Sequence, residues 1–193
     1  VFRRSSAIIL GLILMGSACK PEVDAEAEAA KLTAKVKEAD ARLKNDKVKD
    51  AERLYLSILK EHPEHPDAIY GMAKVRYFEK GYADAEALFQ KVMAAQAENP
   101  DYHYYRGHNF ELSEKFAEAG ESYKQAFALD DNRSEFVQSY GRMLKKGKKW
   151  AEAEAVFRRV AELDPMAVFV NTDLADCLRE QNKLDEALKT YMK

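Results

Sequence analysis

Alanine recurs at Ala51, Ala85, Ala119, Ala153 and Ala187, a 34-residue spacing held through four consecutive intervals. No other feature constrains the fold of this chain so tightly. A large aromatic follows each alanine by four residues, in turn Tyr55, Phe89, Tyr123, Phe157 and Tyr191. A hydrophobe precedes it by three, at Val48, Tyr82, Phe116, Trp150 and Leu184, and a small residue precedes it by twelve, at Ala39, Ala73, Gly107, Gly141 and Ala175. Equal units of this length bury their apolar faces by stacking on their neighbours, so the period predicts a linear array and not a closed core.

Within a unit the apolar residues recur at helical spacing. Ala85, Leu88, Phe89, Val92 and Met93 define one amphipathic helix, and Ile69, Met72, Ala73 and Val75 define the helix before it. Breakers separate the units, "HPEHPD", "ENPD", "DDNRS" and "LDPMA", with Asn99 placed to cap a helix and Pro100 to open it. Each unit therefore reads as helix, turn, helix. Small residues at Ala73 and Ala85 let the two helices approach closely, and Phe89 fills the space beside them. With 47% hydrophobic and 33% charged residues the chain can build a real core, and its few glycines and prolines favour the all-α class.

The first residues follow another logic. Phe2-Arg3-Arg4 is positive, Ala7 to Met15 is apolar throughout, and Gly16, Ser17 and Ala18 are small, which is the order of a secretory signal. The apolar run is shorter than the ~20 residues a transmembrane helix needs. Small residues directly before Cys19 resemble the lipobox of bacterial lipoproteins. That resemblance implies cleavage before Cys19 and a diacylglycerol on its sulfur. It departs from the usual pattern at Gly16, where leucine is common, and secretion with an unmodified thiol is the alternative. The expected organisation is a signal peptide over 1–18, a lipidated Cys19 and tether over 19–31, and repeats over 32–193. The polar stretch from Lys20 to Lys31 serves as a tether whether extended or as a solvated helical extension.

A 34-residue unit with small residues at its eighth and twentieth positions and aromatics near its seventeenth and twenty-fourth is similar to the tetratricopeptide repeat family. Phased this way, the repeats run 32–65, 66–99, 100–133, 134–167 and an incomplete 168–193. The resemblance implies a right-handed α-α superhelix, a solenoid whose first helices line a concave groove for a protein or peptide partner. Carried over by position, the groove residues are Tyr70, Lys74 and Tyr77 with Asp67 and Phe78 in the second repeat. Tyr104, Tyr105 and His108, with Asp101, Glu111 and Leu112, follow in the third, and Gln138, Arg142 and Lys145, with Glu135, Ser139 and Lys146, in the fourth. Aromatics thus line the early groove and basic residues the later one. The plainer alternative is that Tyr105 and Phe78 pack between repeats and Lys145-Lys146 is a solvated turn. The Lys and Asn pattern by which some members clamp a C-terminal carboxylate is not matched here.

Two departures carry expectations of their own. Lys35 and Glu38 stand where the first helix should be apolar, so that helix frays or acts as a polar cap. Leu174, Leu178 and Leu188 form an apolar end that further repeats, a partner or a dimer mate would cover. Candidate chemistry is sparse. There is no phosphate loop, G-x-S-x-G elbow or H-E-x-x-H, so no catalytic residue is assigned. A net charge of −2 gives no footprint for nucleic acid. His62 and His65 read as turn residues and not as metal ligands, His103 as a packing residue, and Cys177 as a small buried hydrophobe; no metal or cofactor is expected. The function that follows is a lipid-anchored cell-envelope scaffold or assembly factor. Lys20 after Cys19 favours the outer membrane, facing the periplasm. The alternative is the regulatory or binding portion of a larger secreted enzyme.

Overall fold

The computed structural model describes residues 20–166 and 169–193. The signal segment and Cys19 lie outside the described residues. Among the described residues ten helices follow one another in pairs: α1 (Lys20–Lys44) with α2 (Val48–Glu61), α3 (Pro66–Phe78) with α4 (Tyr82–Ala95), and α5 (Pro100–Leu112) with α6 (Phe116–Leu129). α7 (Ser134–Lys146) pairs with α8 (Trp150–Leu163), and α9 (Val170–Glu180) with α10 (Leu184–Tyr191). No strand occurs among the described residues. Each helix packs on the next in the chain, and the first helices also touch each other, α1 on α3, α3 on α5 and α7 on α9. The first helices therefore form one layer and the second helices back it.

Local chemistry sets where the helices begin and end. Pro66 and Pro100 occupy first turns, where a missing N–H costs nothing. Asn99 Oδ1 accepts the Asp101 N–H at 3.0 Å and His65 Nδ1 accepts that of Ala68 at 3.4 Å. Between the helices of each repeat the chain turns through one left-handed residue, at Asp46, Lys80, Glu114, Lys148 and Asn182, with φ between 58° and 64°. The following N–H returns to a carbonyl five residues back, as Gly81 to Arg76 at 2.8 Å and Lys115 to Phe110 at 2.8 Å, closing a Schellman turn. Glycine is the easiest residue at such a position, yet none of the described glycines has positive φ. The turn is thus invisible to a reading that looks for glycine.

The core is a row of aromatic rings pressed against residues with little or no side chain. Tyr55, Phe89, Tyr123 and Phe157 are fully buried. A Cβ added at Gly71 would lie 2.2 Å from the Tyr55 ring, at Gly107 2.6 Å from Tyr123, and at Gly141 3.0 Å from Phe157. Ala73 and Ala85 pack directly on Phe89. His103 is buried, with Nε2 2.7 Å from the Ala97 carbonyl oxygen. Cys177 is buried too, and desolvation pushes its thiol up to about 11.

Each end follows one of the expected alternatives and departs from another. α1 does not fray: it runs unbroken from Lys20 to Lys44, so residues 20–31 continue the first repeat's helix. Val36, Ala39 and Leu43 supply its buried face in place of Lys35 and Glu38, and Glu38 accepts from Arg42 at 2.9 Å. At the other end Leu174 and Leu178 are buried against α8 and α10, not exposed. The exposed apolar residues there are Leu184, Leu188, Tyr191 and Met192 of the last helix and its end. No described helix is long and apolar enough to cross a membrane.

Two substitutions test this account. Phe89→Ala leaves a cavity between α3 and α4 and should cost ~3–5 kcal/mol by urea denaturation; a near-neutral result would mean that the ring does not hold the repeat. Glu114→Gly relieves a left-handed L-residue and should raise stability by about 1 kcal/mol in the same assay. A loss of stability would show that the Glu114 side chain contributes more than its backbone costs.

Candidate functional site

The register that stacks the repeats also lines up their first helices, so residues one repeat apart meet side by side. Lys74 Nζ donates to Asp40 Oδ1 at 2.8 Å, and the Tyr55 hydroxyl donates to the same oxygen at 2.8 Å. Lys74 lies 4.5 Å from the centroid of the Tyr70 ring and 5.9 Å from that of Tyr105. From there an aromatic row continues: Tyr70 to Tyr105 at 5.9 Å, Tyr77 to Tyr105 at 6.4 Å, Tyr104 to Tyr105 at 5.6 Å and Tyr104 to His108 at 4.6 Å. A cleft of about 660 Å³ opens at the N-terminal end of this row, walled by Asp40, Leu43, Tyr70, Lys74, Phe78 and Tyr105. Its size suits a side chain or short segment, and its walls mix rings with charges.

Burial sorts these residues into floor and rim. Desolvation pushes the Tyr70 hydroxyl well above its ordinary value, the Asp101 charge adding to it, so Tyr70 stays a neutral donor, here to the Asp101 carbonyl at 3.4 Å. Tyr104 is floor: its ring lies 4.8 Å from Phe136 and 5.9 Å from Tyr123. Burial holds the His108 imidazole below its usual value; Arg142 acts in the same direction and Glu111 opposes it. The ring is therefore neutral at pH 7. Phe78 is rim, 48% exposed.

The basic end of the groove is smaller than the sequence implies. Partial burial works against the charged form of Lys145, but Asp173 at 2.7 Å and Asp176 raise its pKa and occupy its ammonium. Lys146 leaves the row and rests 3.5 Å above the Phe116 ring. Gln138 is half-buried in α7. Arg142 is exposed, its guanidinium 3.3 Å from Ser139 Oγ, and is the cation the groove presents. Asp40, Asp173 and Asp176 belong to the same face and were not among the expected residues. Carrying the groove register into the first and fifth repeats would have found them.

The tyrosines and carboxylates also share a repeating link. Tyr55 donates to Asp40, Tyr123 to Glu111 at 2.8 Å, and Tyr191 to Asp176. Each ties the second helix of a repeat to a groove-facing acid on the first, so core and groove are mechanically joined. Elsewhere, the extension of α1 brings Glu28 beside Glu61 and His62, with one ligand atom of each within 4.8 Å of the others. His62 therefore has acidic neighbours that the spacing along the chain does not show. Glu28 and Glu61 are exposed at the surface.

The family profile of the tetratricopeptide repeat matches residues 42–106 and again 141–193, together more than half of the chain. The chain belongs to the tetratricopeptide repeat family. Solved structures agree in fold. PilF of Pseudomonas aeruginosa superposes with a TM-score of 0.76 at 20% identity, covering 86% of this chain and 75% of that one. MamA gives 0.71 at 16% identity over 83% and 88% of the two chains. YrrB, described as a TPR protein with an unusual peptide-binding site, gives 0.68 at 22% identity over 81% and 80%. At these identities the likeness shows the fold alone. No curated protein matches the chain in sequence. Repeats of this family are generally non-catalytic scaffolds for protein interaction, and this chain has their architecture.

The split between floor and rim is testable by paired substitution. Arg142→Ala should leave thermal stability within about 0.5 kcal/mol of the parent, because an exposed side chain is removed. Tyr104→Ala should cost about 2 kcal/mol, because four rings lose a neighbour. Equal effects on the melting temperature would erase the distinction.

Proposed function

We propose that this protein is an envelope lipoprotein that captures a segment of a protein partner in the groove of its repeats. The observation that carries the binding half is the row from Lys74 through Tyr70, Tyr105 and Tyr104 to Arg142: apolar faces with hydroxyl and cationic ends, on one continuous layer of helices. Tyrosine and arginine anchor interfaces well because each offers large contact area with little conformational entropy to lose. The chemistry favours a segment bearing apolar side chains for the rings and a carboxylate for Arg142. Carboxylates of the groove already hold Lys74 and Lys145, which leaves Arg142 to choose the partner's charge.

The anchoring half rests on the sequence. Gly16, Ser17, Ala18 and Cys19 fit lipobox processing, and multiple acyl chains hold a protein on a bilayer where one holds only marginally. Lys20 after the cysteine supports retention at the outer membrane, facing the periplasm. In this reading α1 is a rigid arm and not a loose tether, since its 25 residues form a rod roughly 37 Å long at about 1.5 Å per residue.

Both halves can be read in one strain. Cys19→Ala should move the protein from the membrane fraction to the soluble one and abolish labelling by an alkyne fatty acid. Unchanged fractionation would remove the anchor from the proposal. A photo-crosslinker at position 78 should give a discrete adduct that Lys74→Ala plus Arg142→Ala abolishes. Adducts insensitive to that pair would place the partner elsewhere.

A further inference from the structure

Between the third and fourth repeats an ion pair that joins other repeats is missing. The first, second and fourth repeats carry glutamate at one register position of their second helix: Glu52, Glu86 and Glu154. Each reaches into the following repeat. Glu52 pairs with Arg76 at 2.8 Å, Glu86 holds Arg106 in a fork with a closest approach of 2.6 Å, and Glu154 accepts from Lys183 at 2.7 Å and Gln181 at 2.8 Å. In the third repeat the same position is Gly120.

Packing does not require that glycine. A Cβ at Gly120 would meet only the Met143 Cβ, at an ordinary 3.6 Å, whereas at Gly71 and Gly107 it would strike a ring. Nor does the backbone require it, because its φ is not positive. A mid-helix glycine is destabilising relative to alanine, so this one carries a cost without a packing return. What it leaves is a cleft of about 750 Å³ between α6, α7 and the start of α8.

The facing residues have changed with it. The counterparts of Arg106 and Arg76 in the fourth repeat are Tyr140 and Leu144, which with Phe116 and Met143 make the cleft apolar. The counterpart of Lys183 is Lys149, which has lost the cross-repeat carboxylate and touches only Glu152 of its own helix start, at 3.6 Å with both side chains more than half exposed. Lys146 sits over the Phe116 ring at the rim, and Lys124 faces the same cleft; neither has a carboxylate partner among the described residues. Glu121 is the acid opposite, accepting from Gln125.

We propose that this cleft docks a partner-protein segment that presents a carboxylate beside a bulky apolar side chain, the carboxylate taking the place Glu154 fills one repeat later. Three lysines against Glu121 and Glu152 select an acidic segment, and the Phe116, Tyr140, Met143 and Leu144 walls select the apolar anchor. None of these walls belongs to the tyrosine row, so the site is independent of the groove.

The experiment titrates the full chain with the peptide Ac-EELFEE-NH2 and follows backbone amides by NMR, with Ac-KKLFKK-NH2 and Ac-EESSEE-NH2 in parallel. The acidic apolar peptide should move the Gly120, Lys124 and Gly147 amides, and each of the other two should bind at least tenfold more weakly. Gly120→Glu restores the missing carboxylate, so it should raise the melting temperature and weaken the acidic peptide at least tenfold. Because that variant is expected to be the more stable protein, misfolding cannot imitate the result. Three outcomes overturn the site: no shift at Gly120 and Gly147 up to millimolar peptide, equal binding of the lysine peptide, or undiminished binding to Gly120→Glu. Shifts confined to the amides of Tyr70, Tyr105 and Arg142 overturn it as well, while leaving the groove proposal standing.

Discussion

Everything in this molecule depends on how closely an aromatic ring can approach the backbone of a neighbouring helix. Tyr55 lies against Gly71 of the next repeat and Tyr123 against Gly107 of its own, at separations that admit a Cβ only if the ring moves, and Phe157 lies against Gly141 with slightly more room. Such contacts are short-ranged, because a bulkier side chain must be met by movement of the ring or of the helix it rests on; where the small residue is Ala73, Phe89 packs on it directly. They fix the distance between helices, and a fixed distance repeated along a chain fixes an array. The layer of first helices on which the tyrosine row stands is a consequence of that spacing. The hydroxyls of Tyr55, Tyr123 and Tyr191 extend the same rings to groove-facing carboxylates. The core rings and the acids on the layer of first helices are therefore directly linked.

The electrostatics are arranged around stacking and not around a reaction. Charges in one repeat are met by charges in the next: Asp40 with Lys74, Glu86 with Arg106, Lys145 with Asp173, Glu154 with Lys183. Although desolvation by burial opposes it, Lys183, Arg158 and Gln181 hold the Glu154 carboxyl below its usual range. Pairs half-screened by solvent add little stability singly. Their geometric effect is larger, because each admits only one register between neighbours. Against that background a junction lacking its pair, at Gly120, stands out by what it leaves open.

The fold was legible in the sequence because a period is a stronger signal than any propensity. Ala85 and Phe89 say little alone; five copies of each at one spacing specify an architecture. The groove was legible only in part. Tyr70, Tyr105 and Arg142 lie on the expected face, but position alone cannot tell a rim residue from one packed beneath it, as Tyr104 is against Phe136. Nor can it tell a free cation from a neutralised one, since Lys145 is matched by aspartates from the following repeat. The turns were expected but their left-handed backbone was not, because Lys80, Glu114 and Lys148 adopt a conformation usually assigned to glycine. Fraying of the first helix stayed open in the sequence because Val36, Ala39 and Leu43 carry its apolar face one residue out of step with the positions expected to be apolar.

That continuous first helix alters what the N-terminal segment can do. A flexible tether would let the repeats sample every orientation above a surface, and its entropy would oppose any single pose. A helix running from Lys20 into the core of the first repeat transmits orientation instead, because Val36, Ala39 and Leu43 clamp it against α2 and α3. The anchor proposed at Cys19 would thereby also set the direction in which the layer of first helices faces. A partner segment arriving from one side then meets the tyrosine row already presented to it, and the ordering cost of capture falls on the partner alone.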